Sequence, residues 1–445
     1  MFRGARNATN ARFTYILVLR VMPSTISRSH ESVQRREKFR DYMRKLNPTA
    51  PARTAIDTGL VIEDIHASLF RTLAARADLD PGSQQLLAGG TGSGKTTELL
   101  MAEKWLREQG QTLPLYIDVS GETDLSALNS GALLATFGLH LSRAFFDRFA
   151  DSFAEGEETS MKTAQCKLHE FAFGKTEVYK HSNLDPFVGQ VPGRLPPFPA
   201  LHSFARQVPG KLTPFPVLPR DIQEIAGMLK KFVGAFQSRS LDVVVIFDGL
   251  DRLIFPEKFW AVVDQDFRAL RRMSVAVLAA APLSILYGEG RSVSEHFDRI
   301  HQVHALNSES TSSSSLKAVL ARRGGTELLR DEEAELVCSS SGGVLRDLIT
   351  LARDAGETAY IEGSPWIYAE HVSSAVAQLG NSYLRGLSPA HLEILRRLAK
   401  ERVFNPASSD GVELLVTGRV IEYSATDFRV HPALSVLLAE SGLHG

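Results

Sequence analysis

Apolar residues fall along this chain in two patterns. Short continuous runs alternate with longer stretches in which apolar positions return every three or four residues. The runs that end in "LLAGG", "LPLYIDV", "LDVVVIFD", "SVAVLAAA" and "RIHQVHAL" have strand length and turn residues at their borders. Continuous rather than alternating apolar character predicts strands buried on both faces. Between them, residues 62–75 predict an amphipathic helix with Ile62, Ile65, Leu69 and Leu73 on one face. Further helices are predicted from the glycines after "LLA" to about Gly110, and over 126–153, 220–237 and 256–272. Strands that alternate with helices predict a parallel α/β sheet. After Leu306 the pattern turns all helical, at about 313–323, 331–340, 344–358 and 368–379. Residues 388–440 read as helix, short helix, hairpin ("RVIEYSATDFRVH") and helix.

Two segments break this order. Residues 31–47, "ESVQRREKFRDYMRKLN", are highly charged and predict an exposed helix within an N-terminal arm, 1–50, that is flexible or helical. Residues at about 155–220 predict an irregular insertion with an internal repeat. "FVGQVPGRLPPFP" at 187–199 returns as "FARQVPGKLTPFP" at 204–216. Prolines this dense prevent helix and interrupt sheet ladders, so an extended arm is expected. It is either a duplicated linker or a docking arm that presents Phe187, Phe198, Phe204, Phe215, Val191 and Val208 to another subunit or partner.

The stretch "LLAGGTGSGKTTELL" carries the clearest chemistry. Gly89 through Gly94, then Lys95 and Thr96, match G-x-x-x-x-G-K-[ST] without a mismatch. Glycines let backbone N–H groups converge on phosphate oxygens, and the helix that follows adds its positive end. Gly89, Gly90, Thr91, Gly92, Ser93, Gly94, Lys95, Thr96 and Thr97 are therefore the candidate phosphate cradle. Lys95 is expected at the β- and γ-phosphates and the Thr96 hydroxyl on Mg2+. A merely structural glycine turn is the other reading. The apolar run before the loop and the helix after it favour a nucleotide. Asp248 ends the buried run "VVVIFD", where a carboxylate can hold Mg2+ through water. A helix or turn cap is the alternative for that residue.

Composition changes this picture little. The chain has 445 residues, 44% hydrophobic and 23% charged, enough for two or three domains. A formal net charge of −1 gives no global field for nucleic acid or acidic membrane. Two cysteines, Cys166 and Cys338, form no framework or metal pattern and fit a reducing cytoplasm. "FTYILVLRVM" is too short to span a bilayer and Arg20 interrupts it, so no membrane partner is expected. The first thirty residues hold five arginines and no acid. They read either as a transit-type leader or as residues ahead of a true start at Met22.

The segment "FDGLDRL" resembles the signature of the STAND signalling ATPases, the class with NACHT modules, and less closely that of the KAP ATPases. Gly249 stands where many ring-forming motors keep a glutamate. Arg252 stands where STAND proteins often carry another acid. The resemblance makes Asp251 the candidate to polarise water. "SSGGVLRDLITLAR" resembles the sensor-2 helix of AAA+ and origin-recognition-type ATPases, which implies Arg346 at the γ-phosphate. The strand that would carry sensor 1 ends "AAAPLS", with Ser284 its only polar residue. Arg299 stands where AAA+ proteins often keep an arginine finger for a neighbouring subunit; a surface arginine is the plainer reading. Residues 388–440 resemble a winged helix.

The resemblance covers about 51–150 and 220–440. It implies an α/β P-loop NTPase core with a parallel sheet at 51–306, an all-α lid at 307–385 and a C-terminal winged-helix domain at 386–445. It further implies ATP and Mg2+, slow hydrolysis, and a switch or assembly platform that forms homo-oligomers. Its effector or sensor would be a separately encoded protein, with bacterial antiviral defence as a setting. An origin-recognition-like DNA-binding ATPase and a non-hydrolysing, ATP-stabilised scaffold are the alternatives. The last segment disfavours nucleic acid: residues 388–440 hold six Lys/Arg (Arg396, Arg397, Lys400, Arg402, Arg419, Arg429) against seven Asp/Glu. A domain that neutralises phosphates normally has a basic excess.

Overall fold

The computed structural model describes residues 25–63, 65–149, 156–173, 219–253, 256–287, 293–307 and 312–440. Within them, β1 (Gln84–Gly89), β2 (Thr112–Asp118), β3 (Asp242–Asp248), β4 (Ala276–Ala281) and β5 (Arg299–Val303) form one parallel sheet in the order β2-β3-β4-β1-β5. Alternate residues of each strand face opposite layers. Val243, Val245 and Phe247 of β3 enter one core, and Val244 and Ile246 enter the other. The second core is covered by α2 (Leu69–Leu79) and α3 (Lys95–Gln109), the first by α4 (Ala132–Phe149), α5 (Glu157–Phe173) and α6 (Pro219–Gln237). No described helix is long and apolar enough to cross a membrane.

Beyond the sheet lie four helices, α7 (Ser312–Arg322), α8 (Asp331–Ser340), α9 (Leu345–Ile361) and α10 (Ala369–Leu384). Next come α11 (Pro389–Glu401), α12 (Ser409–Val416), the hairpin β6 (Val420–Ser424) and β7 (Asp427–Val430), and α13 (Pro432–Glu440). The last group is a winged helix with its own core, which also takes in Leu283 from the segment after β4.

The structure departs from the sequence reading in four places. The charged N-terminal segment forms α1 (Thr25–Lys45), but it is not an exposed helix throughout, because Phe39, Tyr42 and Leu46 are buried in the lid core. The Tyr42 hydroxyl donates to the Ala352 carbonyl at 2.7 Å, and the Arg35 guanidinium donates to the carbonyls of Ala359, Tyr360 and Ser364 at the end of α9. A cation there satisfies orphan carbonyls and complements the helix dipole. The helix expected over 62–75 begins only at Leu69, after Ala67 and Ser68 in left-handed conformation. Ile62 and Ile65 pack on the lid instead, so the expected apolar stripe divides between two cores. The region expected to be irregular opens with α5, which has no proline or glycine and buries Met161, Ala164, Leu168 and Ala172. Finally, the helix expected over 126–153 starts at Ala132. The repeated arm with Phe187, Phe198, Phe204 and Phe215, and the residues around Met22, lie outside the described residues.

Two helices in the core are capped from outside by buried carboxylates. Glu98 of α3 accepts from the Phe70 N–H at 2.8 Å, in the first turn of α2. Asp266 accepts from the N–H groups of Gly131, Leu133 and Leu134 at 2.5, 3.0 and 3.4 Å, at the start of α4. Burial disfavours the charged form of each and outweighs the backbone donors, which lifts both carboxyls to about 7. A carboxyl raised in the folded state stabilises fully below its unfolded value, here about 4. That contribution is lost as pH rises through about 7. Glu98→Gln keeps an acceptor and loses the titration. It should therefore gain on the order of 2–3 kcal/mol relative to wild type between pH 4.5 and 8. Chemical unfolding across that range would check it; parallel pH profiles for the two proteins would contradict a raised Glu98.

Candidate functional site

The glycine loop joins β1 to α3 and stands at the C-terminal end of β1, which lies between β4 and β5. The helix starts at Lys95 directly after Gly94, so its first N–H groups and positive dipole end face the loop. Gly92 has φ +81°, and a Cβ there would lie 2.7 Å from the Arg346 Cβ. Glycine is thus required twice over, by backbone conformation and by the approach of the lid.

Lys95 is buried, and its Nζ donates to the carbonyls of Gly89 and Gly90, both at 2.9 Å. It also pairs with Asp251 Oδ2 at 3.0 Å. Asp251 lies on the short turn Leu250–Arg252 that follows β3, reached through Gly249 at φ +83°. Asp248 ends β3 and is buried. Its Oδ2 accepts from the Tyr116 hydroxyl at 2.7 Å and its Oδ1 from the Gly249 N–H at 2.8 Å. The Thr96 side chain hydrogen-bonds the same carboxylate. Burial raises the Asp248 carboxyl above its ordinary value, and these donors oppose the rise. Asp118, level with Asp248 on β2, is engaged elsewhere, accepting from Ser120 Oγ and the Gly121 N–H.

The lid and winged helix close on this loop. The Arg346 N–H donates to the Gly92 carbonyl at 3.4 Å, while the residue itself is exposed. Leu345 lies over Gly94. The Thr91 hydroxyl reaches the Val416 carbonyl at the end of α12, at 3.5 Å. His66 Nε2 donates to the Ser93 carbonyl at 2.9 Å, and burial holds its imidazole below the ordinary value against the opposing effect of that hydrogen bond.

The structure thus gathers Gly89 through Thr97, Asp248 and Asp251 into one site, with the backbone of Arg346 at its edge. It does not bring Arg299 there. Arg299 opens β5 opposite Gln85, and Gln85 lies at the far end of β1 from the loop. A parallel strand that ends at the loop must begin on the opposite rim. The sequence reading missed His66 and Tyr116. Tyr116 could have been found only from the β2–β3 register, which places it opposite Ile246, two residues before Asp248.

The residues fit a nucleotide phosphate with Mg2+. The Ser93 hydroxyl is buried without a hydrogen-bond partner among the described residues, and a Cβ at Gly90 would meet nothing within 4 Å. Thr96 and Asp248 supply a hydroxyl and a carboxylate, the hard oxygen donors Mg2+ takes alongside phosphate oxygens.

No family model and no curated protein matches the sequence. Among solved structures, the chain is similar to Cdc6p from Pyrobaculum aerophilum, at 13% identity and TM-score 0.39, over 85% of this chain and 93% of that one. It is similar to Drosophila ORC bound to DNA, at 13% identity and TM-score 0.39, over 94% and 87%. It is also similar to the Thermotoga maritima RuvB Holliday junction branch migration motor, at 14% identity and TM-score 0.38, over 86% and 96%. The parallel sheet, with the glycine loop after β1 and an acid ending β3, followed by a helical lid and a winged helix, gives this chain an α/β P-loop NTPase fold.

Proposed function

We propose that this protein is a nucleotide-switched ATPase of AAA+/STAND type that binds Mg·ATP in the cradle between β1 and α3 and hydrolyses it slowly. The observation that supports this most is the meeting, at one loop, of Lys95, of Thr96 with Asp248, and of the lid helix that begins beside Arg346. The loop N–H groups and Lys95 would hold the phosphates, and Thr96 and Asp248 the Mg2+. When bound there, the ion would supply positive charge to offset that of the phosphates. Asp251 is the group to take the proton as a water oxygen bonds the γ-phosphorus and its bond to ADP breaks. Arg346 would bring a cation from the lid. Gly249 in place of the usual glutamate and an all-apolar β4 favour slow turnover.

The winged helix is proposed as an internal lock. Glu422 of β6 is buried and accepts from the Tyr287 hydroxyl and from Gln302 Nε2, both on the ATPase core. Its carbonyl accepts from the Ala305 N–H at 3.2 Å. Tyr423 donates its hydroxyl to the Gly342 carbonyl at 2.8 Å, just before the lid helix. A hairpin held this way needs no basic excess, which agrees with the charge balance of residues 388–440. The resemblance assigns the output to a separately encoded effector and suggests antiviral defence, and oligomers belong to the same reading.

Three measurements test this. Lys95→Ala removes one charge-assisted contact of roughly 1.5–3 kcal/mol. Mg·ATP affinity by calorimetry should fall about ten- to a hundredfold; an unchanged affinity rejects the site. Glu422→Gln with Tyr287→Phe should speed release of a fluorescent ADP analogue several-fold, and an unaltered release rate removes the lock. Duplex DNA titrated into the full chain should bind weakly and lose all binding by physiological salt. Tight, sequence-selective binding at that salt would establish the DNA-binding alternative.

A further inference from the structure

We infer that Asp251 competes with the nucleotide for Lys95, acting as an internal stand-in for a phosphate oxygen; this rests on the phosphate-cradle reading above. An ammonium has three N–H donors and no acceptor. In Lys95 all three are engaged, by Gly89 O and Gly90 O at 2.9 Å each and by Asp251 Oδ2 at 3.0 Å. A phosphate must therefore take a donor that protein already holds.

The three acceptors are not equivalent. The two carbonyls belong to the loop and carry no net charge, so they repel an incoming anion less than a carboxylate does. Asp251 is the charged one. A carboxylate and a phosphate drawn to one cation in a partly dry site repel each other, so the carboxylate is the partner that gives way. It has somewhere to go. The Asp251 side chain is 22% exposed against 5% for Lys95, and its turn hangs on Gly249.

The same contact explains why an acid stands there. A buried ammonium with only carbonyls around it is poorly compensated, and a nearby carboxylate supplies the missing charge. Asp251 thus stabilises the cradle while it raises the barrier to filling it. Only a ligand with enough negative charge at that point displaces it.

Two opposite effects of one substitution test this. Asp251→Asn keeps the shape and removes the charge; Asp251→Ala removes both. In the full chain, each variant should melt several degrees below wild type without nucleotide. Each should also bind Mg·ATP about tenfold more tightly by calorimetry, the size of one charge-assisted contact. Damage to the fold would lower stability and affinity together, so the opposed signs are specific to competition. Wild-type binding with equal or weaker affinity in the variants overturns the competition and leaves the nucleotide site standing. If wild type itself binds no nucleotide and Lys95→Ala changes nothing, the nucleotide reading fails and takes this inference with it.

Discussion

A buried ammonium must be answered by charge, and the architecture around Lys95 follows from that. Its side chain is 5% exposed, held at the start of α3 by the packing of Leu99, Met101, Ala102 and Leu106 against the sheet. Holding a lysine there fixes what can surround it. Carbonyls of Gly89 and Gly90 take two donors, and the third goes to an acid carried by the turn after β3. That acid reaches Lys95 because only β4 lies between β3 and β1, which brings the tips of β1 and β3 near one another at one edge of the sheet. Ligands of open α/β sheets bind in crevices beyond the carboxyl ends of the strands. Strand order and the charge requirement of one side chain are thus the same constraint seen at two scales.

The lid meets this edge through glycine. Gly343 has φ +74°, and a Cβ there would lie 1.7 Å from the Leu306 carbonyl. No other residue lets the chain before α9 pass so close to the end of the sheet domain. The Leu306 N–H donates to the Gly343 carbonyl, which fixes that crossing. Together with Gly92 beneath Arg346, it sets the height of the lid helix above the phosphate loop. Substituting either position would shift the helix, whatever the chemistry of the new side chain.

What could be read from the sequence was local. The phosphate loop is a contiguous spacing on a strand–loop–helix, and the "VVVIFD" run ends in its acid, so Lys95, Thr96 and Asp248 were legible. The sheet was legible for the same reason, because its strands are continuous apolar runs. The failures are all contacts made across the fold. Ile62 and Ile65 sit at helical spacing with Leu69 and Leu73, yet two left-handed residues turn the chain between them and send each pair to a different core. Charged α1 gave no sign that Phe39, Tyr42 and Leu46 would enter the lid. Asp266, Glu98 and Glu422 look like surface acids in sequence, and each is buried because another element donates to it. Burial of an acid is decided by the arrival of its donors, which local pattern does not encode.

Adjacent residues of α9 link the glycine loop to the winged helix. The Arg346 N–H holds the Gly92 carbonyl of the phosphate loop. The next side chain, Asp347, is buried and faces the winged helix. It accepts from the Tyr383 hydroxyl at 2.6 Å and contacts His431 Nε2 at 3.2 Å, and the Tyr383 and His431 rings lie 4.7 Å apart. A helix turn is stiff, so its first residues cannot move past the loop and away from the winged helix without straining the contact between Asp347 and His431; Tyr383 belongs to the lid's own α10. Such a buried, hydrogen-bonded carboxylate favours one arrangement, because breaking its contacts leaves it with fewer donors. In the proposed lock, contacts to the winged helix therefore add to those at the loop in resisting displacement of the lid. A ligand in the loop moves this equilibrium only by as much as it binds one lid position better than another. Part of the resistance it meets in the proposed lock comes from Asp347 and Glu422, whose hydrogen bonds lie outside the cradle.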